Sequence, residues 1–322
     1  MLYLNEKDIK AIGINWNETI DAIKNTVKCI SSKDYSQPIK PYLRYRDLKN
    51  RIIAMPAFVG GDINMAGIKW IASFPDNIEK GIPRSHSIVI LNNSETGEPE
   101  AIINTSLISI IRTASVSGLV INHFQKVKEL KNINIGIIGW GPIGQYHYDM
   151  CNKILGGNIS NINLFDIRKI DKDSINEEYR DKTKVAENWE GAYLNADILI
   201  TCTVSKGSYI DKQPKSNSLH LNVSLRDYKE DTFEYFKNSI MVDDWDEVCR
   251  ENTDIELLHK NKGLQKYQTK SIIDIVENNC IKDYSRNAPI LFNPMGMAVF
   301  DISLGTYYFK KALDNNYYQN LS

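Results

Sequence analysis

A chain of 322 residues with 42% hydrophobic and 25% charged residues has the composition of an ordinary globular protein and the length for two domains. Lysine and arginine number 39 against 40 acidic residues, a balance that offers no basic surface to nucleic acid or acidic lipid. The five cysteines are scattered without a C-x-x-C pair and the five histidines lack metal-ligand spacing, which argues against a disulfide framework or a metal centre.

In chain order, the opening "MLYLNEKDIK" mixes charges with no apolar stretch, and no apolar run reaches membrane-spanning length, so a cytoplasmic location is expected. Apolar spacing predicts a helix near residues 16 to 31. Four extended stretches follow, "IKPYLRYRD", "RIIAMPAFVGG", "MAGIKWIASF" and "HSIVILNN", separated by short polar breaks. "NSETGEPE" reads as a hairpin turn joining "IVILN" to "AIINT". The first 120 residues thus predict an α+β domain on an antiparallel or mixed sheet. Within it, strand alternation places Tyr42, Arg44 and Arg46 on one face. Lys69 interrupts an apolar strand and must either snorkel to solvent or serve a ligand. Arg112 lies inside an apolar helix, "SLISIIRTASVSGL". Each alone reads as an ion pair; together they can cradle carboxylates, which suit the arginine fork.

The stretch "NINIGIIGWGPIGQYHYDM" carries the strongest local signal. A β-branched run, Ile133 to Ile138, leads into Gly139-Trp140-Gly141-Pro142-Ile143-Gly144, and helical spacing then continues to Leu155. A second strand, "NINLFDIR", ends at Asp166. Strand, glycine spacing, helix and acid together are the fingerprint of a dinucleotide-binding turn. Gly139 permits the tight turn, Gly141 lets backbone approach a pyrophosphate, and Gly144 lets helix pack on strand. Pro142 and Ile143 open the helix whose N-terminus faces the phosphates. Asp166 is the acceptor for ribose hydroxyls and repels a 2′-phosphate, favouring NAD over NADP, although Arg168 keeps NADP open. His147, on the following helix, reads as a surface or packing residue.

Beyond it, strands are predicted at 183 to 187, in "DILITCT", in "SLHLNVS" and in "SIMVDDW", with a short helix at 188 to 196. Such alternation predicts a parallel Rossmann sheet. The expected organisation is an α/β protein. Residues 121–296 form the NAD-binding Rossmann domain, and residues 1–120 with 297–322 form an α+β domain for substrate and dimerisation. The last helix, about Gly296 to Leu313, returns to that first domain. In "NVSLRDYKED", after a strand end, Asp227 is the carboxylate best placed to act as a base, against a solvated loop acid as the plain alternative.

Together these segments resemble the ornithine cyclodeaminase/mu-crystallin family of NAD(P)-dependent enzymes. The resemblance runs through "YLNEKDI", "GIKW", "SLISIIRTASVSGL", "GIIGWGPIGQ", "ITCT" and "NPMGMAVFDI", nearly the full length. "QPIKPYLR", "RIIAMPA", "GIKWIAS", "ITCTV", "VDDW" and "NPMGMAVFDIS" look like one branch, the dehydrogenases that form L-2,3-diaminopropionate for siderophores and related peptide natural products. The resemblance implies NAD-dependent cleavage of N-(2-amino-2-carboxyethyl)-L-glutamate to L-2,3-diaminopropionate and 2-oxoglutarate. It also implies a homodimer and, as pathway partner, a PLP-dependent synthase that joins O-phosphoserine to glutamate.

Carried over by residue, the family's substrate-carboxylate contacts fall on Arg44, Lys69 and Arg112, its catalytic aspartate on Asp227, with Lys69 beside it in the chemistry. Thr113 matches a contact to the cofactor phosphates, and Thr201, Cys202 and Thr203 match the strand end near adenosine and nicotinamide. One departure stands out: cyclodeaminases carry a glycine-rich approach to the aspartate and a proline two residues after it, whereas this chain reads Ser224-Leu225-Arg226-Asp227-Tyr228-Lys229. That speaks against cyclodeamination itself. Ornithine cyclodeaminase, alanine dehydrogenase, imine reductase and a non-catalytic crystallin-like binding protein stay open as alternatives.

Overall fold

The structure, a computed structural model, describes residues 1–321. It divides into two compact units, residues 1–115 with 296–321 and residues 116–295. In chain order the first elements are β1 (Leu2–Asn5), α1 (Glu6–Ile12), α2 (Trp16–Ser31), β2 (Tyr35–Ser36), β3 (Tyr42–Leu43), β4 (Arg51–Val59), β5 (Met65–Ser73), β6 (Ser85–Asn93), β7 (Pro99–Asn104) and α3 (Leu107–Val127). Next come β8 (Ile133–Ile138), α4 (Pro142–Leu155), β9 (Ile159–Phe165), β10 (Thr183–Val185), α5 (Trp189–Tyr193), β11 (Ile198–Thr201) and β12 (Leu219–Asn222). They are followed by α6 (Phe233–Phe236), β13 (Ile240–Val242), α7 (Trp245–Val248), α8 (Asp254–Lys262), β14 (Lys270–Ser271), α9 (Ile272–Asn278) and β15 (Ile290–Asn293). Helix α10 (Ala298–Asn315) and β16 (Gln319–Asn320) belong to the first unit.

The first unit is built on a mixed sheet in the order β16-β1-β7-β6-β5-β4-β2, with β3 also paired to β4. Strands β4 to β7 form an antiparallel meander, and β1 adds to β7 in parallel. Period-two alternation sends Ile53, Met55, Ala57 and Val59 of β4 to one face, together with Met65 and Lys69 of β5 and Val89 and Leu91 of β6. Helix α10 covers that face: Gly67 lies against Ile302, and Gly305 against Val89, Leu91 and Ile103. Helix α2 packs in turn on α10, presenting Ile20, Ile23, Val27 and Ile30 at helical spacing. The opposite sheet face carries Ile52, Pro56, Phe58, Ile68, Trp70, Ile88 and Ile90, all half-buried or exposed.

The second unit is an eight-stranded sheet, β10-β9-β8-β11-β12-β15-β13-β14, with every pairing parallel. The apolar run of β8 sits inside it because both faces of a parallel sheet are covered. Sequence reading found β8 to β13 but missed β15, a four-residue run between Pro289 and Pro294 that inserts between β12 and β13. Helix α3 corrects a second expectation. It is long and apolar enough to cross a membrane, yet 78% of its apolar window is buried within the protein.

Candidate active site

Two clusters of chemistry-bearing side chains emerge, one in each unit. In the second unit β8 delivers the glycine turn. Gly139 takes φ 101°, and a Cβ there would stand 2.6 Å from Cys202 O. A Cβ on Gly144 would lie 2.0 Å from Gly139 O, so helix α4 reaches its strand only without one. Gly141 differs: nothing lies within 4 Å of where its Cβ would be. No protein neighbour requires that glycine, and the open space in front of it is where a pyrophosphate would meet backbone. Pro142, at the first position of α4, gives up an N–H that the helix would leave unpaired anyway; Ile143 O accepts from His147 Nδ1 at 2.8 Å.

Asp166, at the end of β9, accepts from Trp140 N at 2.7 Å through one oxygen and from Arg168 N at 2.8 Å through the other. It therefore ties the second strand to the glycine turn. Beside it opens a cavity of about 330 Å³, lined by Phe165, Asp166, Arg168, Val185, Ala186 and Glu187 among others. Its position beyond the carboxyl ends of β9 and β10 suits the adenosine half of a dinucleotide. His147 is a packing residue: Nε2 meets Ser117 Oγ at 2.8 Å, and burial pushes its imidazole down to about 4. A neutral imidazole so held is no proton shuttle at neutral pH.

Around β11 and β12 the strand ends hold a buried polar network. Thr201 Oγ1 donates to Asn222 Oδ1 at 3.1 Å, and Cys202 N donates to Ile138 O at 2.7 Å. Asp227 is 0% exposed, which corrects the picture of a solvated loop acid. One of its oxygens accepts from Thr203 Oγ1 at 2.6 Å and the other from Ser224 Oγ. Burial pushes its carboxyl up, opposed first by the Ser224 hydroxyl and then by Thr203.

The loop is held from below by Asp254 at the start of α8, whose Oδ2 accepts from Asp227 N at 3.1 Å, Tyr228 N at 3.2 Å and Asn222 Nδ2 at 2.9 Å. Burial raises Asp254 to about 7. Leu225, two residues before Asp227, takes φ 65°. A buried leucine in the left-handed region is strained, and such strain persists where surroundings over-determine the backbone. Asn222, Ser224 and Asp254 were not found by sequence reading: Asn222 and Asp254 meet across 32 residues, and no local pattern marks the serine that bonds Asp227 three residues on.

In the first unit Lys69 and Arg112 meet on a residue that sequence reading did not single out, Asp301 of α10. Lys69 Nζ donates to Asp301 Oδ2 at 2.7 Å and to Ser109 Oγ at 3.1 Å, while Arg112 Nε donates to Asp301 Oδ1 at 2.9 Å. Lys69 is 1% exposed, so it neither snorkels nor reaches the surface. Burial pushes its ammonium down to about 7, with Asp301 opposing and Arg112 and Lys40 adding to the shift. Asp301 is held below the ordinary carboxylate range: burial alone would raise it, but Arg112 and then Lys69 outweigh that.

Lys40, also missed, is buried, and its Nζ donates to Gly296 O at 2.7 Å. Gly296 has φ 85°, and a Cβ there would come 2.5 Å from Arg112 Nη1. Gly296 of "NPMG" is thus the platform on which two cations are packed.

Arg44 and Thr113 are placed otherwise. The proposed shared face of Tyr42, Arg44 and Arg46 does not form, because β3 stops at Leu43 and Arg46 turns to φ 55°. Arg44 is exposed, donates to Leu48 O at 3.0 Å and lies 5.3 Å from the centre of the Tyr42 ring. Thr113 belongs to the first unit, where its hydroxyl donates to Ser109 O at 2.7 Å.

Comparison with known proteins extends these observations over the whole chain. A relative, the N-((2S)-2-amino-2-carboxyethyl)-L-glutamate dehydrogenase of Staphylococcus aureus, is 32% identical over 333 residues, covering 98% of this chain and 96% of its own. Among solved structures, the Thermococcus litoralis Delta(1)-pyrroline-2-carboxylate reductase, determined with NADH and L-proline, superposes with a TM-score of 0.89 at 22% identity over 100% of both chains. An archaeal alanine dehydrogenase dimer with bound NAD gives 0.84 at 21% identity, over 98% of this chain and 97% of its own. The two structures share the fold. The family model of the ornithine cyclodeaminase/mu-crystallin family matches residues 5–316, and with a Rossmann unit, its glycine turn and a second unit of matching architecture, the chain belongs to that family.

Proposed function

We propose that this protein is an NAD-dependent dehydrogenase that cleaves N-(2-amino-2-carboxyethyl)-L-glutamate to L-2,3-diaminopropionate and 2-oxoglutarate, consuming one water. The observation that carries the reading is the buried pair of cations sharing one carboxylate. Asp301 supplies one negative charge to Lys69 and Arg112 together. Excess buried positive charge is costly unless an anion completes it, and this substrate carries three carboxylates. The 32% identical relative bears the name of the same activity.

The residues of the glycine turn fit NAD. Gly141 leaves the opening for the pyrophosphate, the N-terminus of α4 provides the N–H groups, and Asp166 stands at the ribose. Bound there, NAD would supply the hydride acceptor for oxidation of the glutamate Cα–N bond of the secondary amine. Lys69 and Arg112 hold the α-carboxylate so that the reacting C–H is oriented, a positioning effect. Asp227 takes the proton from the water that adds to the resulting imine carbon and returns it to the departing amine nitrogen. Arg44, exposed on its loop, is the candidate for a second carboxylate. Thr113, Thr203 and Cys202 are proposed cofactor contacts. Thr201 acts through Asn222 instead, since its hydroxyl is spent there.

The apolar outer face of the first sheet, with Trp70 43% exposed, supports a homodimer. A cytoplasmic setting and a PLP-dependent synthase that supplies the substrate complete the reading. The test is NADH absorbance with the purified protein, NAD and N-(2-amino-2-carboxyethyl)-L-glutamate, run beside L-ornithine and L-alanine. NADH with equimolar 2-oxoglutarate from the first substrate only is the expected result. NADH from alanine, or proline from ornithine, overturns the substrate; no turnover with any leaves a crystallin-like binding role.

A further inference from the structure

The hydrogen bonds around Asp227 contain a hydrogen with two destinations. Ser224 Oγ reaches both Asp227 Oδ2 and Thr201 Oγ1, the latter at 2.9 Å. A hydroxyl has one hydrogen, so the two bonds cannot both be donated. Thr201 has no hydrogen to give in return, because its own goes to Asn222 Oδ1 at 3.1 Å. Asn222 is fixed too: its amide donates to Asp254 Oδ2 at 2.9 Å and to Asn293 Oδ1 at 2.8 Å. The direction of every bond from Thr201 outward is therefore set, and only Ser224 is free to choose.

The two choices correspond to the two charge states of Asp227. When Asp227 is a carboxylate, Ser224 donates to it, and Thr203 donates to the other oxygen. When Asp227 is protonated on Oδ2, that proton is donated to Ser224 Oγ, and the Ser224 hydrogen turns to Thr201 Oγ1. Ser224, Thr201 and both Asp227 oxygens keep a partner in both states, and no heavy atom moves. Such provision is needed because Asp227 is 0% exposed, so water cannot solvate the change of charge. We propose that Ser224 is a positioning residue that lets Asp227 take up and release its proton in place, by turning its hydroxyl hydrogen between Asp227 and Thr201.

The other groups facing Asp227 are Arg226 on its own loop, Cys202 and Tyr209 from the segment after β11, Tyr228 beside it and Asp254 from α8. Arg226 favours the carboxylate, Asp254 opposes it, and burial keeps Cys202, Tyr209 and Tyr228 protonated and neutral. All are unaltered by a change at position 224, so a shift there reports the hydroxyl.

The inference rests on Asp227 as the proton-transfer group of the proposed reaction, but its test does not need turnover. In protein labelled with ¹³C at the aspartate carboxyls, the Asp227 signal is assigned by its loss in Asp227→Asn and titrated. Ser224→Ala removes the donor to the carboxylate and is expected to raise the apparent pKa by about one unit or more, with Ser224→Thr restoring it. The Thr201 hydroxyl also helps hold the Asp227 carboxyl down, so its part as acceptor is read as a coupling: in a Thr201→Val background Ser224 loses the partner it uses beside the acid form, and the rise caused by Ser224→Ala is expected to be larger than in the wild type. The same shifts should appear in the acid limb of kcat/KM. A titration unmoved in Ser224→Ala, or a rise of equal size in both backgrounds, overturns the proposal. These carboxyl shifts in a protein that does not turn over the proposed substrate would sink the substrate and leave the switch standing.

Discussion

Lys69 Nζ stands 2.7 Å from Asp301 Oδ2, deep in the first unit and 232 residues away in sequence. The contact links the inner face of β5 to the helix that covers it, and Arg112 occupies the other oxygen of the same carboxylate. Asp301→Asn keeps the shape and removes the charge that both cations share. Breaking a buried ion cluster on one side costs about 3–5 kcal/mol. A matching fall in the urea midpoint is expected, and wild-type stability in that variant would show that the cluster does not anchor α10.

The low position of Lys69, about 7, gives a pH dependence with a definite sign. Below about 7 the side chain is an ammonium able to hold a carboxylate; above it, an amine. kcat/KM should therefore fall as pH rises through about 7, and Lys69→Arg, which does not titrate, should flatten that limb. Stability should run the other way. Between about 7 and the ordinary lysine value the unfolded chain binds the proton that the folded chain has lost, so folding is favoured as pH rises through that window. Chemical denaturation at a series of pH values checks the second statement independently of activity.

Two glycines of the turn should respond differently to the same substitution. Gly144→Ala drives a methyl into Gly139 O, 2.0 Å from the ideal Cβ position, and should destabilise or unfold the second unit. Gly141→Ala meets nothing within 4 Å and should leave the melting temperature unchanged, while weakening NAD about tenfold or more by filling the phosphate approach. Calorimetric melting with NAD titration decides it; equal NAD affinity in Gly141→Ala would remove that glycine from the cofactor site.

Trp70 lies on the outer face of β5, one residue beyond Lys69, among half-buried Ile52, Ile68, Ile88 and Ile90. If that face joins two copies of the chain, Trp70→Glu should halve the molar mass seen by light scattering, because a charge is then buried without a partner. An unchanged mass would place the subunit contact elsewhere.

What the sequence by itself determined were the features that local rules govern. The glycine turn, its strand and helix, Asp166, the hairpin at "NSETGEPE" and the alternation of strand and helix depend on neighbours within about 30 residues, and hydrophobic period and turn chemistry report these directly. The same rules placed Lys69 on a strand, but not its fate there: alternation says that it points with Met65, and only the helix packed on that face decides that it meets Asp301.

Tertiary structure also decided that Lys40 rather than Arg44 stands with Lys69 and Arg112, since β3 ends too early for alternation to continue. It decided that β15 lies between β12 and β13, because a four-residue strand bounded by prolines has no period to read. The interior of the Asp227 loop was likewise invisible in one dimension. Asn222, Asp254 and Asn293 come from three elements, and the hydrogen bonds that join them exist only once a parallel sheet has brought the ends of its strands to one edge.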